Sequence, residues 1–229
     1  MMSGIQQLKI SDIKYAFFDF DNTIYPGLLL YDISIDYFTR LNLNDKAKKL
    51  DSVMASFKKG YFHEASKNFA KLIEGEPCGE FYRRIDYYLN RIPLKAKTFV
   101  NALTAKGCSC YLVSLTSDII ASKVSESLGF TDWLAIQYGH YNKKNFDFFD
   151  GSFFPEVKDS LAFKASCFSK FNVLNSYDCS LAVGDSLEDT SLLKNCKYNL
   201  FVGTNKTLAE KFPSSLKIKL DWSDFAWIL

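Results

Sequence analysis

The sequence predicts an α/β protein: a doubly wound parallel sheet with a helical subdomain inserted after the first strand. Three observations lead there. Short apolar runs each end in one or two polar residues: Tyr15-Ala16-Phe17-Phe18 before Asp19, Tyr111-Leu112-Val113 before Ser114, Leu181-Ala182-Val183 before Gly184-Asp185, and Leu200-Phe201-Val202 before Gly203. Runs that are apolar on both faces belong to strands buried in a parallel sheet. Helix-like stretches lie between them at residues 94–106, closed by Gly107, at 117–128, closed by Gly129, and at 160–171. Residues 27–92 carry no buried strand but show helical spacing, as in Ile33, Tyr37 and Leu41, or Phe62, Ala65, Phe69 and Leu72. Roughly 65 residues is too long for a crossover connection, so the stretch is expected to form an inserted unit. The boundaries are then 1–26 with 93–229 for the core and 27–92 for the insert.

Composition agrees with a folded domain of this kind. A chain of 229 residues suggests one large domain or a core with a modest insertion, given about 150 residues per domain. Hydrophobic residues make up 48% and charged residues 24%, which excludes intrinsic disorder and low complexity. Lysine and arginine number 28 against 26 acidic residues, far from the basic excess of a dedicated nucleic-acid binder. No stretch approaches 18 uninterrupted apolar residues, so no membrane span is expected, and residues 1–11 lack the apolar segment of an export signal. Six cysteines show no Cys-x-x-Cys spacing, and His63 and His140 are the only histidines, so zinc is not expected. Cys108 and Cys110 lie in a buried-strand pattern, where reduced thiols behave as small hydrophobes; the expected compartment is cytoplasmic.

Two elements are expected outside this scheme. Asp150-Gly151 lies between aromatic runs at 146–154 and reads as a β-hairpin turn. Ser114 and Thr116 read most simply as N-cap residues of the helix that begins near Ser117.

In an open parallel sheet the ligand site lies beyond the carboxyl ends of the strands. The residues ending the apolar runs are therefore the candidates: Asp19, Asp21 and Thr23, then Ser114, then Asp185, Ser186 and Asp189. Singly, each reads as a cap or turn former, and Lys164 as a solvated helix residue. Jointly, Asp19, Asp21, Asp185 and Asp189 would meet at one end of one sheet, where carboxylates repel unless one is protonated or a cation joins them. A donor set of oxygens without His or Cys suits a hard ion such as Mg²⁺. Mg²⁺ and Lys164 together would bring the formal charge of four carboxylates from −4 to −1. A phosphate could then approach.

The set Asp19-Phe20-Asp21-Asn22-Thr23, Ser114, Lys164 and Gly184-Asp185-Ser186-Leu187-Glu188-Asp189 resembles, in order and spacing, the four motifs of the haloacid dehalogenase-like hydrolase superfamily. Gly-Asp-Ser-x-x-Asp, Leu-Val-Ser at 112–114 and Ser-Leu-Gly-Phe at 127–130 are most similar to its phosphoserine-phosphatase-like subfamily. Asp-Asn-Thr-Ile-Tyr-Pro at 21–26 resembles instead the pyrimidine nucleotidases of a sister subfamily. The resemblance implies a Rossmann-like core and a helical cap at 27–92. It also implies a Mg²⁺-dependent phosphatase acting on a small phosphorylated substrate.

In that reading Asp19 is the nucleophile and Asp21 the general acid and base. The Asp19 carboxylate, the Asp21 carbonyl and Asp185 hold the metal, with Asp189 orienting metal-bound water or Lys164. Ser114 and Lys164 bind the phosphoryl oxygens, and Thr23 is placed with them while steadying the loop. Other readings are a phosphotransferase of the same superfamily, or a binding protein that keeps the fold, whose signature would be loss of Asp19 or Asp21. A receiver domain would lack the helical insert, and a dehalogenase would lack the second Asp. Phosphoserine phosphatases carry an acidic residue nine positions after the nucleophile; here that position is Leu28, followed by Leu29 and Leu30. The expected substrate therefore has an apolar, aromatic or sugar-like leaving group rather than an ammonium, with Lys58, Tyr61, Phe62 and Arg83 as candidate contacts.

Overall fold

A computed structural model describes residues 10–218 together with Trp222 and Ser223; the outermost parts of the expected core, 1–9, 219–221 and 224–229, lie outside the described residues. The chain enters the sheet with β1 (Tyr15–Phe18) and then leaves it for five helices. These are α1 (Leu29–Arg40), α2 (Asn44–Lys58), α3 (Phe62–Ile73) and two short pieces, α4 (Cys78–Phe81) and α5 (Ile85–Leu89). It returns through α6 (Leu94–Ala105), β2 (Ser109–Ser117) and α7 (Asp118–Leu128), followed by β3 (Asp132–Lys143) and β4 (Phe146–Phe154). The second half contains α8 (Ser160–Ala165), α9 (Cys167–Lys170), β5 (Ser180–Gly184) and α10 (Thr190–Lys194). It closes with β6 (Tyr198–Val202), α11 (Lys206–Lys211) and β7 (Leu216–Ile218).

Among the described residues the strands form one sheet in the order β4-β3-β2-β1-β5-β6-β7, parallel throughout except for β4. Beginning at β1 and reversing direction after β3 and β4, the order places β1 and β5 side by side at its centre, with Phe18 opposite Val183. Asp19 and Asp185, each just beyond one of these strands, therefore emerge together. Packing surrounds both faces. Phe18, Phe99 and Phe130 meet edge-on on one side, and Phe17 packs on Tyr111 and Phe168 on the other.

The helix ends follow their residues. Ser117 caps α7 by accepting from the Ile120 N–H, and Gly129 ends it in the left-handed region at φ 75°. The stretch at 160–171 does not run as one helix: α8 ends at Ala165 and α9 restarts at Cys167. All six cysteines are free thiols. No helix of the described residues is long and apolar enough to cross a membrane.

The hairpin differs from expectation. Its turn is Lys144-Asn145, both in the left-handed region at φ 52° and 67°, as a two-residue hairpin turn requires. Asp150-Gly151 lies inside β4 instead, where the register with β3 shifts between Tyr138 and His140. The Asp150 carboxylate accepts from the Ser152 N–H and Oγ, folding the extra residues into a bulge. Gly151 sits there at φ 80°.

This hairpin also braces the inserted helices, a contact that periodicity does not reveal. The Gly75 N–H donates to the Phe149 carbonyl and the Phe149 N–H to that of Glu76. Phe81 packs among Tyr37, Phe69, Tyr82 and Phe149, and Phe69 meets Tyr138 edge-on. Burying each such ring contributes on the order of 1.5–3 kcal/mol, so the insert and the hairpin share one apolar core.

Candidate active site

The loop after β1 is shaped by its own backbone. The Phe20 carbonyl accepts from the N–H groups of Thr23, Ile24 and Tyr25, while Asn22 turns through the left-handed region at φ 58°. Asparagine tolerates that conformation better than most side chains. The turn returns Thr23 beneath Asp19. Its hydroxyl lies 3.2 Å from both Asp19 Oδ2 and Asp185 Oδ1. Across the sheet, the Trp222 indole N–H donates to the Thr23 carbonyl at 3.0 Å, tying the C-terminal segment to the same loop.

Lys164 extends from α8 into the cluster and is buried, with Nζ 2.6 Å from both Asp19 Oδ1 and Asp189 Oδ1. The other Asp189 oxygen accepts from the Asp185 and Ser186 N–H groups at 3.0 and 3.1 Å. Asp189 thus links Lys164 to the loop after β5. Gly184 makes that fold-back possible, since a Cβ there would lie 2.5 Å from the Asp189 carboxyl carbon. Gly184→Ala is expected to displace Asp189 and, through it, Lys164. Activity should fall about a hundredfold while the far-ultraviolet circular dichroism stays native. Wild-type turnover in that variant would mean that Asp189 need not hold Lys164.

Asp21 points the other way, its carboxylate accepting from the Leu29 N–H at 2.8 Å at the start of α1. Ser114, at the end of the β2 apolar run, is buried, and its Oγ accepts from the Thr116 N–H at 3.2 Å. Asp19, Asp21, Ser114, Lys164 and Asp185 all line one cavity of about 330 Å³, at the low end of ligand-pocket sizes. Thr23 does not line it: it is fully buried with its hydroxyl committed to carboxylates. The structure places the Thr23 hydroxyl beneath Asp19, between its carboxylate and that of Asp185.

The inserted helices supply the opposite wall through Leu28, Leu30, Met54, Phe57, Phe62 and Phe69, with Lys58 beside them. Tyr61 and Arg83 are absent from it; Tyr61 is 60% exposed and Arg83 pairs with Glu80 at the surface. Sequence reasoning missed Thr116, Met54, Phe57 and Glu188 as lining residues. Of these Glu188 lies inside the last motif, and the helical spacing of Met54 and Phe57 marks an inward face without telling a helix core from a cavity wall.

Burial and charge set the protonation states. Burial raises Asp19 from 3.8 to about 6, with Lys164 pulling it down and Asp189 adding repulsion. Asp21 is raised to about 7, again by burial, and Asp185 to about 8 by burial and the charges of Asp19 and Asp189. Burial opposes the charge of Lys164, but the carboxylates of Asp189 and Asp19 outweigh it and raise its pKa. One oxygen each of Asp19, Asp185 and Asp189 fall within 4.8 Å of one another. This all-oxygen cluster, with two carboxylates held above their ordinary values, fits a hard divalent cation such as Mg²⁺.

A dependence of stability on pH follows. Each raised acid favours its neutral form in the fold, so the folded protein keeps protons that the unfolded chain releases near 3.8. Their contribution to the stability of the metal-free protein is fully present below pH 3.8 and is lost progressively as pH rises from there through the folded values of about 6 to 8. Thermal melts should show a lower midpoint at about pH 8 than at about pH 5, with Mg²⁺ recovering most of the difference. A higher midpoint at the higher pH would show that Lys164 outweighs the repulsion.

Comparisons with known proteins bear on this geometry. The model of a family described as haloacid dehalogenase-like hydrolase matches residues 16–194. No curated protein matches the chain. A solved phospho-aspartyl intermediate analogue of phosphoserine phosphatase is similar at 21% identity and TM-score 0.66, over 87% of this chain and 90% of that one. A substrate-bound phosphoserine phosphatase complex is similar at 19% identity and TM-score 0.70, over 89% and 92%. A protein of unknown function from Bordetella pertussis Tohama I is similar at 17% identity and TM-score 0.74, over 91% and 99%. Identities this low show a common fold.

Proposed function

The chain belongs to the haloacid dehalogenase-like hydrolase family, and from that premise we propose that it is a Mg²⁺-dependent phosphatase of a small phosphomonoester. The observation that carries this reading is the pairing on one loop of two carboxyls with different environments. Burial pushes both upward, but Asp19 is paired at 2.6 Å with the Lys164 ammonium, which favours its charged form, whereas Asp21 has no direct ion pair and accepts the Leu29 N–H instead. Two acids kept apart in this way suit a nucleophile and a proton donor.

In this mechanism an Asp19 oxygen attacks phosphorus and the bond to the leaving oxygen breaks, giving an aspartyl phosphate. Asp21 gives its proton to that leaving oxygen. The Asp21 carboxylate so formed then takes a proton from water, which attacks phosphorus, releases inorganic phosphate and restores Asp19. Ser114 and Lys164 hold the phosphoryl oxygens, and Asp189 keeps Lys164 in place while the Thr23 hydroxyl supports Asp19. The Asp19 carboxylate, the Asp21 carbonyl and Asp185 would hold Mg²⁺, with Asp189 acting through Lys164 because both of its oxygens are already engaged. Once bound, Mg²⁺ supplies positive charge against the carboxylates and the phosphoryl group. Residues 27–92 act as the cap that excludes water from this chemistry.

The phosphoserine phosphatases among the similar structures support a small phosphorylated substrate. Hydrolysis of a phosphomonoester panel with Mg²⁺ tests the proposal. Release of phosphate from at least one member is expected, and none from any member would reject it.

A further inference from the structure

Taking the phosphatase reading as its basis, we propose that the substrate is a phosphomonoester of an apolar or aromatic alcohol that carries a second, anionic group, received by Lys58. The cavity is divided by chemistry. Its floor holds Asp19, Asp21, Ser114, Lys164 and Asp185, with Glu188 three residues further along the same loop. Its opposite wall comes from the inserted helices and is apolar apart from Lys58 and Tyr31. The Tyr31 hydroxyl is taken by Asp51 at 2.8 Å. Lys58, the last residue of α2, lines the cavity while remaining exposed to solvent, and has no carboxylate partner among the described residues.

A leaving group held between floor and wall therefore presents carbon to most of the wall and can set a negative charge against Lys58. The rings of Phe57 and Phe62 meet edge-on with centroids 6.1 Å apart, an aromatic corner against which a flat body can pack. An ammonium directed at this wall would meet the like charge of Lys58, while the nearby Asp51 carboxylate is already engaged by the Tyr31 hydroxyl. A carboxylate would form a charge-assisted hydrogen bond. Thr116 adds a polar point between the two halves. It is 1% exposed, lines the cavity, and its hydroxyl has no partner, so it can donate to an oxygen of the bound substrate.

Matched substrates test this. The protein with Mg²⁺ should hydrolyse 4-carboxyphenyl phosphate with a kcat/KM about three times that of phenyl phosphate, the size expected of one contact to a solvent-exposed charge. Phosphoserine should be slower than either. Lys58→Ala should bring the ratio of the two aryl substrates close to one, chiefly through KM, whereas Lys58→Arg should keep it. A wild-type ratio of one, a ratio unchanged in Lys58→Ala, or phosphoserine as the best substrate would each overturn the inference while leaving the phosphatase reading intact. Failure to hydrolyse any phosphomonoester would instead remove the reading on which it rests.

Discussion

Asp19→Asn is expected to lower phosphatase activity by at least about a thousandfold while leaving the fold intact. An amide has nearly the shape of the carboxylate but cannot attack phosphorus to form the acyl phosphate. Its oxygen can still accept from Lys164, which also keeps its contact with Asp189 at 2.6 Å. The change removes a buried charge held at an unfavourable value by burial and by Asp189. Without metal, the variant should therefore melt at the wild-type temperature or above it. Steady-state assays with p-nitrophenyl phosphate and a thermal melt check both statements. More than a few per cent of wild-type activity would remove Asp19 from the nucleophilic role, and a markedly lower melting temperature would show that the ion pair with Lys164 outweighs the repulsion.

Chelation should have an effect of comparable size. Asp19, Asp185 and Asp189 concentrate negative charge within 4.8 Å, and among the described residues Lys164 is the single buried cation beside them. A phosphate dianion cannot approach that floor readily without further positive charge. EDTA should abolish activity, and Mg²⁺ or Mn²⁺ should restore it. Ca²⁺ should inhibit, because its larger coordination shell would engage both Asp19 oxygens and leave neither free to attack. Full activity after exhaustive chelation would contradict the assignment of Asp19 and Asp185 to a metal.

The parts of this molecule that sequence reveals are those governed by local pattern. Both-face apolar runs locate β1, β2, β5 and β6 because a strand buried in a parallel sheet has no solvent face to mark. Asp19, Asp21 and Asp185 follow from the same rule, since each lies just beyond a strand end, and Asp189 follows from the motif that begins there. The parts that stayed hidden depend on contacts between distant residues. The Trp222 indole reaches the Thr23 carbonyl across 199 positions, and no spacing signals it. Asp150-Gly151 carries a turn signature, yet Gly139 opposite it leaves room for Ser152 and Asp150 to fold into a bulge, and the turn falls at Lys144-Asn145. Thr23 lies within a phosphate-site motif, but the turn at Asn22 sends its hydroxyl down to the carboxylates. The apolar spacing of α2 and α3 shows that Met54, Phe57 and Phe69 are inward, without distinguishing a helix core from a cavity wall.

Transfer of a phosphoryl group to Asp19 is the step on which these roles depend, and it can be observed directly. Protein mixed with Mg²⁺ and excess phenyl phosphate should be quenched in acid within the first turnover, digested, and examined by mass spectrometry. One added phosphoryl group is expected on the peptide containing Asp19, removed by hydroxylamine as an acyl phosphate must be, and missing in Asp19→Asn. Phosphate release from wild-type protein with no such adduct at any quench time, or an adduct on another residue, would contradict nucleophilic catalysis by Asp19.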